Sequence, residues 1–156
     1  MRVTICAVGR LRAGPEFTLV SEYLDRFGKS GRGLGLGPAS VREVESKKGG
    51  GMVAEGKLLA AVLPENSVRV VLDERGKTLN SREFAELLRR WRDEGRRDCA
   101  FLIGGADGVE KGLRQEADIA LSFGSMVWPH MLARVMLAEQ LYRAASILSG
   151  SPYHRE

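Results

Sequence analysis

Both histidines of the chain, His130 and His154, fall in its last third, the first directly behind Pro129 and the second beside Tyr153 and Arg155. Imidazole is the side chain whose ordinary pKa lies nearest neutrality, so each is a candidate for proton transfer. Upstream, the apolar run 100–103 opens into Gly104-Gly105, where two missing Cβ atoms let the backbone turn sharply or a ligand approach closely. Ser122-Phe123-Gly124-Ser125-Met126-Val127-Trp128-Pro129-His130 then leads into a long helical pattern. Residue type alone assigns no reaction. A histidine at a helix entrance commonly anchors the turn, and one near a chain end is commonly solvated.

The elements that must position these residues follow from periodicity. Residues 3–8, 41–44, 68–72 and 99–103 are apolar runs of strand length, and Ile119, Leu121 and Phe123 alternate as in a half-buried strand. Helical spacing links Phe17, Val20, Leu24 and Phe27, with Pro15 in the first turn and Gly28 as the expected stop. Residues 52–63 read as a second helix. Asn80-Ser81-Arg82-Glu83 has capping-box spacing ahead of an apolar stripe at Phe84, Leu87, Leu88 and Trp91. A short helix over 109–117 and a long one over 131–149 complete a β-α alternation, which predicts an α/β fold: one domain over 1–156, a mainly parallel sheet, helices on both faces. In such sheets ligands bind beyond the carboxyl ends of the strands, here the loops after Leu72, Ile103 and Phe123. Residues 73–77 are expected to form the first of these loops.

Composition narrows the functional classes. With 44% hydrophobic and 28% charged residues the chain reads as a soluble globular protein, and no apolar run has the length of a membrane span. A cytoplasmic location is expected. Cys6 and Cys99 sit in apolar runs without metal-ligand spacing, which predicts two buried thiols and no metal. The net charge of +4 favours a polyanionic partner. Arginines on the third helix are interleaved with Glu83, Glu86, Asp93 and Glu94, the pattern of a solvated face. Residues 29–38, with alternating glycines in neither phosphate-loop nor dinucleotide order, read as a flexible connection. The loop Lys47-Lys48-Gly49-Gly50-Gly51 is basic and open to either phosphate contact or plain solvation. On the terminal helix only one stripe is polar, so the apolar arc exceeds what one sheet face buries, and a second copy in a two-fold dimer is the simplest partner.

Taken together, Gly104-Gly105, Met126-Val127-Trp128-Pro129-His130, Arg134-Val135, Glu139-Gln140-Leu141-Tyr142-Arg143-Ala144 and Tyr153-His154-Arg155 resemble the large-subunit ribosomal RNA pseudouridine N3-methyltransferases, small members of the SPOUT class. The resemblance covers nearly the whole chain and is weakest over 29–51. It implies a C-terminal trefoil knot, a homodimer, S-adenosylmethionine as cofactor, and methylation of N3 of a pseudouridine in large-subunit (23S) ribosomal RNA within the ribosome. By matched position the cofactor contacts would be Leu72, Gly104, Phe123, Gly124, Ser125, Met126, Val127 and Trp128. Gly124 and Val127 stand where relatives often carry hydroxyl side chains, which leaves recognition there to the backbone.

The chemistry so implied has two needs besides alignment of donor and acceptor. An imide N3–H is a weak acid, so its proton must be removed and the charge spread onto the flanking carbonyl oxygens stabilised. His154 suits the first task and Arg155 the second, with Tyr153 as a surface for base stacking, the tail standing over the cofactor of its own chain or of the neighbouring protomer. His130 is the rival base. Arg134, Arg143, Lys47 and Lys48 are candidate RNA contacts, Arg143 having an i, i+4 pairing with Glu139 as its structural alternative. Two further readings remain: a noncatalytic ribosome-binding module on the same scaffold, and an α/β enzyme that binds a small phosphorylated ligand at residues 31–37.

Overall fold

The computed structural model describes residues 1–47 and 49–155. Along them run strands β1 (Arg2–Val8), β2 (Ala39–Val44), β3 (Val68–Thr78), β4 (Asp98–Ile103) and β5 (Ile119–Ser122). They alternate with helices α1 (Pro15–Gly31), α2 (Gly51–Val62), α3 (Ser81–Asp93), α4 (Lys111–Gln115) and α5 (His130–Ser149). The sheet order is β2-β1-β4-β3-β5, and every pairing is parallel. The central strand β4 is buried at each residue, which is why its sequence lacks alternation.

Each sheet face has its own apolar layer. On one, Ile5, Val70 and Phe101 pack against Phe27 of α1, Leu88 of α3 and Leu137 and Leu141 of α5. On the other, Cys6, Val71 and Leu102 meet Leu59 of α2 and Leu113 of α4. Helix α5 lies against both α1 and α3, and these two neighbours absorb much of the wide apolar arc read from its sequence. That arc therefore does not by itself demand a second copy. The capping box forms as its spacing predicts: Asn80 Oδ1 accepts from Glu83 N at 2.9 Å, and Glu83 Oε2 accepts from Asn80 N at 2.8 Å. Both cysteines are buried, and burial pushes the Cys6 thiol up to about 11.

Three expectations are corrected. Helix α1 does not stop at Gly28 but runs on to Gly31, because Phe27 is fully buried and residues beyond it still face the core. The segment expected to be a flexible connection is packed instead. Leu36 is 1% exposed, its N–H donates to Gly31 O at 2.9 Å, and Arg92 Nη1 donates to Leu34 O at 2.8 Å. Residues 73–77 are strand rather than loop: β3 leaves register with β5 after Leu72 and rejoins it at Lys77 and Thr78. Gly76 permits that return, since a Cβ there would stand 2.6 Å from the Ala120 carbonyl.

Candidate active site

Because the strands are parallel, the chain leaves β3, β4 and β5 on the same edge of the sheet. On that side the register break of β3 after Leu72 and the exits of β4 and β5 enclose a cavity of about 570 Å³, a volume ordinary for a small-molecule site. Leu72, Ile103, Leu121 and Phe123 give it an apolar floor, and His130 and Ala133 close it from the first turn of α5. Of the residues expected at a cofactor, Leu72, Gly104, Phe123, Gly124, Met126, Val127 and Trp128 all line this cavity. Ser125, exposed at the bend, is not part of the lining.

The glycine exit after β4 is sterically compulsory. A Cβ on Gly104 would lie 2.2 Å from the carbonyl of Gly108, and Gly108 N donates to Gly105 O at 3.1 Å to close the turn. A Cβ on Gly105 would meet the Glu55 carboxylate at 3.0 Å. Across the cavity, Ser122 Oγ donates to Glu74 O at 3.1 Å and accepts from Gly124 N at 3.1 Å, which fixes the start of the 123–128 segment. Gly124 itself has φ +113°, a conformation that strains other residues.

Sequence reasoning missed the charged rim. Asp73, Glu74, Arg75 and Asp107 also line the cavity. Asp73 accepts from Arg75 Nε at 3.0 Å and from Arg114 Nη1 at 3.1 Å, and these guanidiniums, Arg75 foremost, hold its carboxyl well below the usual range. Their signal was the rule that strand exits build the site, applied to cofactor contacts only. An apolar floor and carboxylates at the rim suit a ligand with an aromatic base and cationic groups. No group of side chains suited to hold a metal occurs among the described residues.

A family model described as a predicted SPOUT methyltransferase matches residues 1–154. The chain belongs to the SPOUT methyltransferase family. Among its relatives, a protein of Dinoroseobacter shibae named ribosomal RNA large subunit methyltransferase H is 66% identical over 155 residues, 99% of each chain. Proteins of the same name are 65% identical in a Ruegeria species, over 99% of each chain, and 63% identical in Paracoccus denitrificans, over the full length of both. In this SPOUT methyltransferase the glycine-rich segment 31–37 is not at the cavity: a Cβ on Gly37 would touch Phe27, and Leu36 is core. The small-phosphate reading has no site there.

The tail lies elsewhere. Tyr153 Oη donates to Glu139 Oε1 at 3.0 Å, and its ring is engaged by Tyr142, with centroids 4.5 Å apart, and by the Arg143 guanidinium at 4.8 Å. Instead of presenting a free face for stacking, Tyr153 anchors the tail. His154 Nδ1 stands 3.3 Å from Arg143 Nη1, while Arg155 is exposed. The tail meets α5 at Glu139 and Arg143, and Arg143 stands about 20 Å along the helix from His130, which lines the cavity of the same chain. The tail and the cavity of one chain therefore do not form one site.

The candidate RNA contacts divide. Arg143 is paired with Glu139 at 2.6 Å, the i, i+4 alternative. Lys47 is exposed, and Lys48 lies outside the described residues. Arg134 is corrected: its side chain is fully buried, and Nη1 donates to Glu43 Oε1 at 2.9 Å. A guanidinium enclosed in this way presents no surface to a phosphate or base.

Proposed function

We infer that this SPOUT methyltransferase moves a methyl group from S-adenosylmethionine to N3 of a pseudouridine in large-subunit ribosomal RNA. Its substrate is the assembled ribosome, so it works in the cytoplasm. The observation that carries this reading is the convergence of the β3 register break and the β4 and β5 exits on one cavity in a chain 66% identical to a protein named for ribosomal RNA methylation. S-adenosylmethionine supplies an electrophilic methyl group on a sulfonium. Leu72, Phe123 and Trp128 offer its base apolar walls, the backbone over 123–128 offers hydrogen-bonding groups to the base edge, and Glu74 and Asp107 match its cationic centres.

The acid–base work falls to the tail of a second copy. Within one chain His154 lies beside Arg143, about 20 Å of helix from His130, so Tyr153-His154-Arg155 reaches a cofactor only across a dimer. Met131 and Leu132 at the start of α5, with Phe17 and Leu19 on α1, are exposed apolar side chains consistent with such a contact. In the dimer His154 takes the N3 proton and Arg155 stabilises the charge on the base carbonyls, while Tyr153 fixes the tail from which both project. Recognition rests on the shape of the folded target and an unstacked base.

Mass mapping of methyl groups on ribosomes from cells lacking this protein tests the reading. One pseudouridine should lose its N3 methyl and regain it on incubation with purified protein and S-adenosylmethionine. An unchanged methylation map would reject it.

A further inference from the structure

Helix α5 begins without a capping side chain, and its first two apolar residues, Met131 and Leu132, are 39% and 41% exposed. The first turn is closed by Ala133 N, which donates to Pro129 O at 3.0 Å, but neither a capping side chain nor packing of these two residues holds it to the rest of the fold. The buried residue nearest that start is Arg134. Its Nη2 donates to Val8 O at 3.2 Å and Gly9 O at 3.1 Å, and its Nη1 donates to Glu43 Oε1. Glu43 Oε1 also accepts from Leu11 N at 3.0 Å, so one carboxylate and one guanidinium clasp the end of β1, the end of β2 and the loop that follows β1.

Burying a guanidinium is costly, and Arg134 Nε has no hydrogen-bond partner among the described residues. A packed apolar residue would fill the position with less penalty. What it could not supply is the planar fork that reaches two carbonyls and a carboxylate at once. The clasp has a direct neighbour in the cavity. One helical turn before Arg134, on the same side of α5, His130 lies against the exit of β1: a Cβ on Gly9 would be 3.6 Å from His130 Nε2. Gly9 therefore touches both the clasp and a residue lining the cavity.

We propose that Arg134, braced by Glu43, is a positioning residue that sets the first turn of α5 and with it the Trp128-to-His130 wall of the cofactor cavity. The 123–130 segment is then held from two ends, by Ser122 at its start and by Arg134 at its finish. Cofactor affinity depends on the guanidinium although no atom of it faces the cavity. This inference rests on the methyltransferase reading for its kinetic arm only.

The test compares R134M, R134K and E43Q with the unaltered protein. Amide exchange on the ligand-free chain is expected to quicken over 126–133 by about tenfold in R134M, beyond any change in β4, because charge-assisted bonds are lost there. R134K keeps the charge without the fork and should fall between. In turnover, KM for S-adenosylmethionine should rise while KM for ribosomes stays put. Exchange that quickens equally everywhere, or a fall in kcat with both KM values intact, would reduce Arg134 to a general stabiliser and overturn the proposal. A raised KM for ribosomes alone would also overturn it, in favour of RNA contact. Should R134M fail to fold, E43Q and R134K carry the same comparison. The exchange arm uses no cofactor, so its outcome stands even if the methyltransferase reading fails.

Discussion

Glu139 holds Tyr153: the phenol donates to Oε1 at 3.0 Å, on a carboxylate that also receives Arg143 Nε at 2.9 Å. Burial and this carboxylate together push the Tyr153 phenol up, so it remains a donor across the physiological range. The bond turns the chain back along α5 and decides where His154 and Arg155 begin. Replacing Tyr153 with Phe removes the donor and keeps the ring against Tyr142. Stability should fall by about 1 kcal/mol, the usual worth of such a bond, while methyl transfer falls further because the tail is no longer held. Chemical denaturation and initial rates on ribosomes measure the two effects.

Deleting residues 153–156 separates binding from chemistry. The cavity is lined entirely by residues up to Ala133, so calorimetry should find S-adenosylmethionine affinity nearly unchanged. Transfer should be abolished. A truncated protein of full activity would remove His154 and Arg155 from the mechanism and leave His130 as the base.

Arg143 connects the tail to the helix through three contacts: Glu139, the Tyr153 ring and His154 Nδ1. Arg143→Ala should therefore lower transfer more than it lowers stability, and Arg143→Lys should recover only part, since an ammonium cannot make the forked contact with Glu139. Equal activity of the Ala and Lys variants would show that charge and geometry at this position are irrelevant to the tail.

Most of the fold was legible because its cues are local. The all-buried β4, the capping box at Asn80 and the stripe of α3 are set by residues within a few positions of one another. What was hidden depends on distant partners. Gly28 looks like a helix stop until Phe27 and Leu24 are seen holding α1 to the sheet, and residues 73–77 look like a loop until β5 offers them a second register. Arg134 was the largest hidden feature. A cation on a helix reads as surface, and the groups that bury it, Val8, Gly9 and Glu43, lie far away in sequence. At the cavity the strand-exit rule found the β4 and β5 loops, but the sequence held no cue that Tyr153 folds back onto Glu139 and stops short of its own cavity.

Asp73 makes the stability of the site depend on acid. Its side chain is 6% exposed and its pKa is depressed from an ordinary 3.8, chiefly by Arg75 and also by Arg114. A depressed carboxylate contributes stability that is complete above its unfolded pKa and disappears as the pH falls through the folded one. Asp73→Asn should thus cost about 1–3 kcal/mol at neutral pH and less near pH 2, where the unfolded chain's carboxyl has taken up a proton that the folded one still resists. Denaturation curves at the two pH values check the sign. A cost that did not shrink on acidification would mean that the ion pairs are not what Asp73 contributes.

Two glycines to alanine should move stability in opposite directions. At Gly104 the new methyl would stand 2.2 Å from the Gly108 carbonyl, inside backbone that cannot yield without opening the turn that lines the cavity. Gly104→Ala is expected to cost about 1–3 kcal/mol through overpacking and to weaken S-adenosylmethionine binding, since the displaced atoms line that cavity. Gly28 sits within α1 with nothing within 4 Å of its would-be Cβ. There the methyl meets open space and reduces the freedom of the unfolded chain, so Gly28→Ala should stabilise by about 0.5–1 kcal/mol with cofactor affinity unchanged. Thermal melts of both variants, with calorimetry at a temperature where each is folded, give the comparison. If Gly104→Ala lost stability yet bound S-adenosylmethionine normally, the Gly104 to Gly108 turn would be scaffold and the cofactor would rest on the 123–128 segment alone.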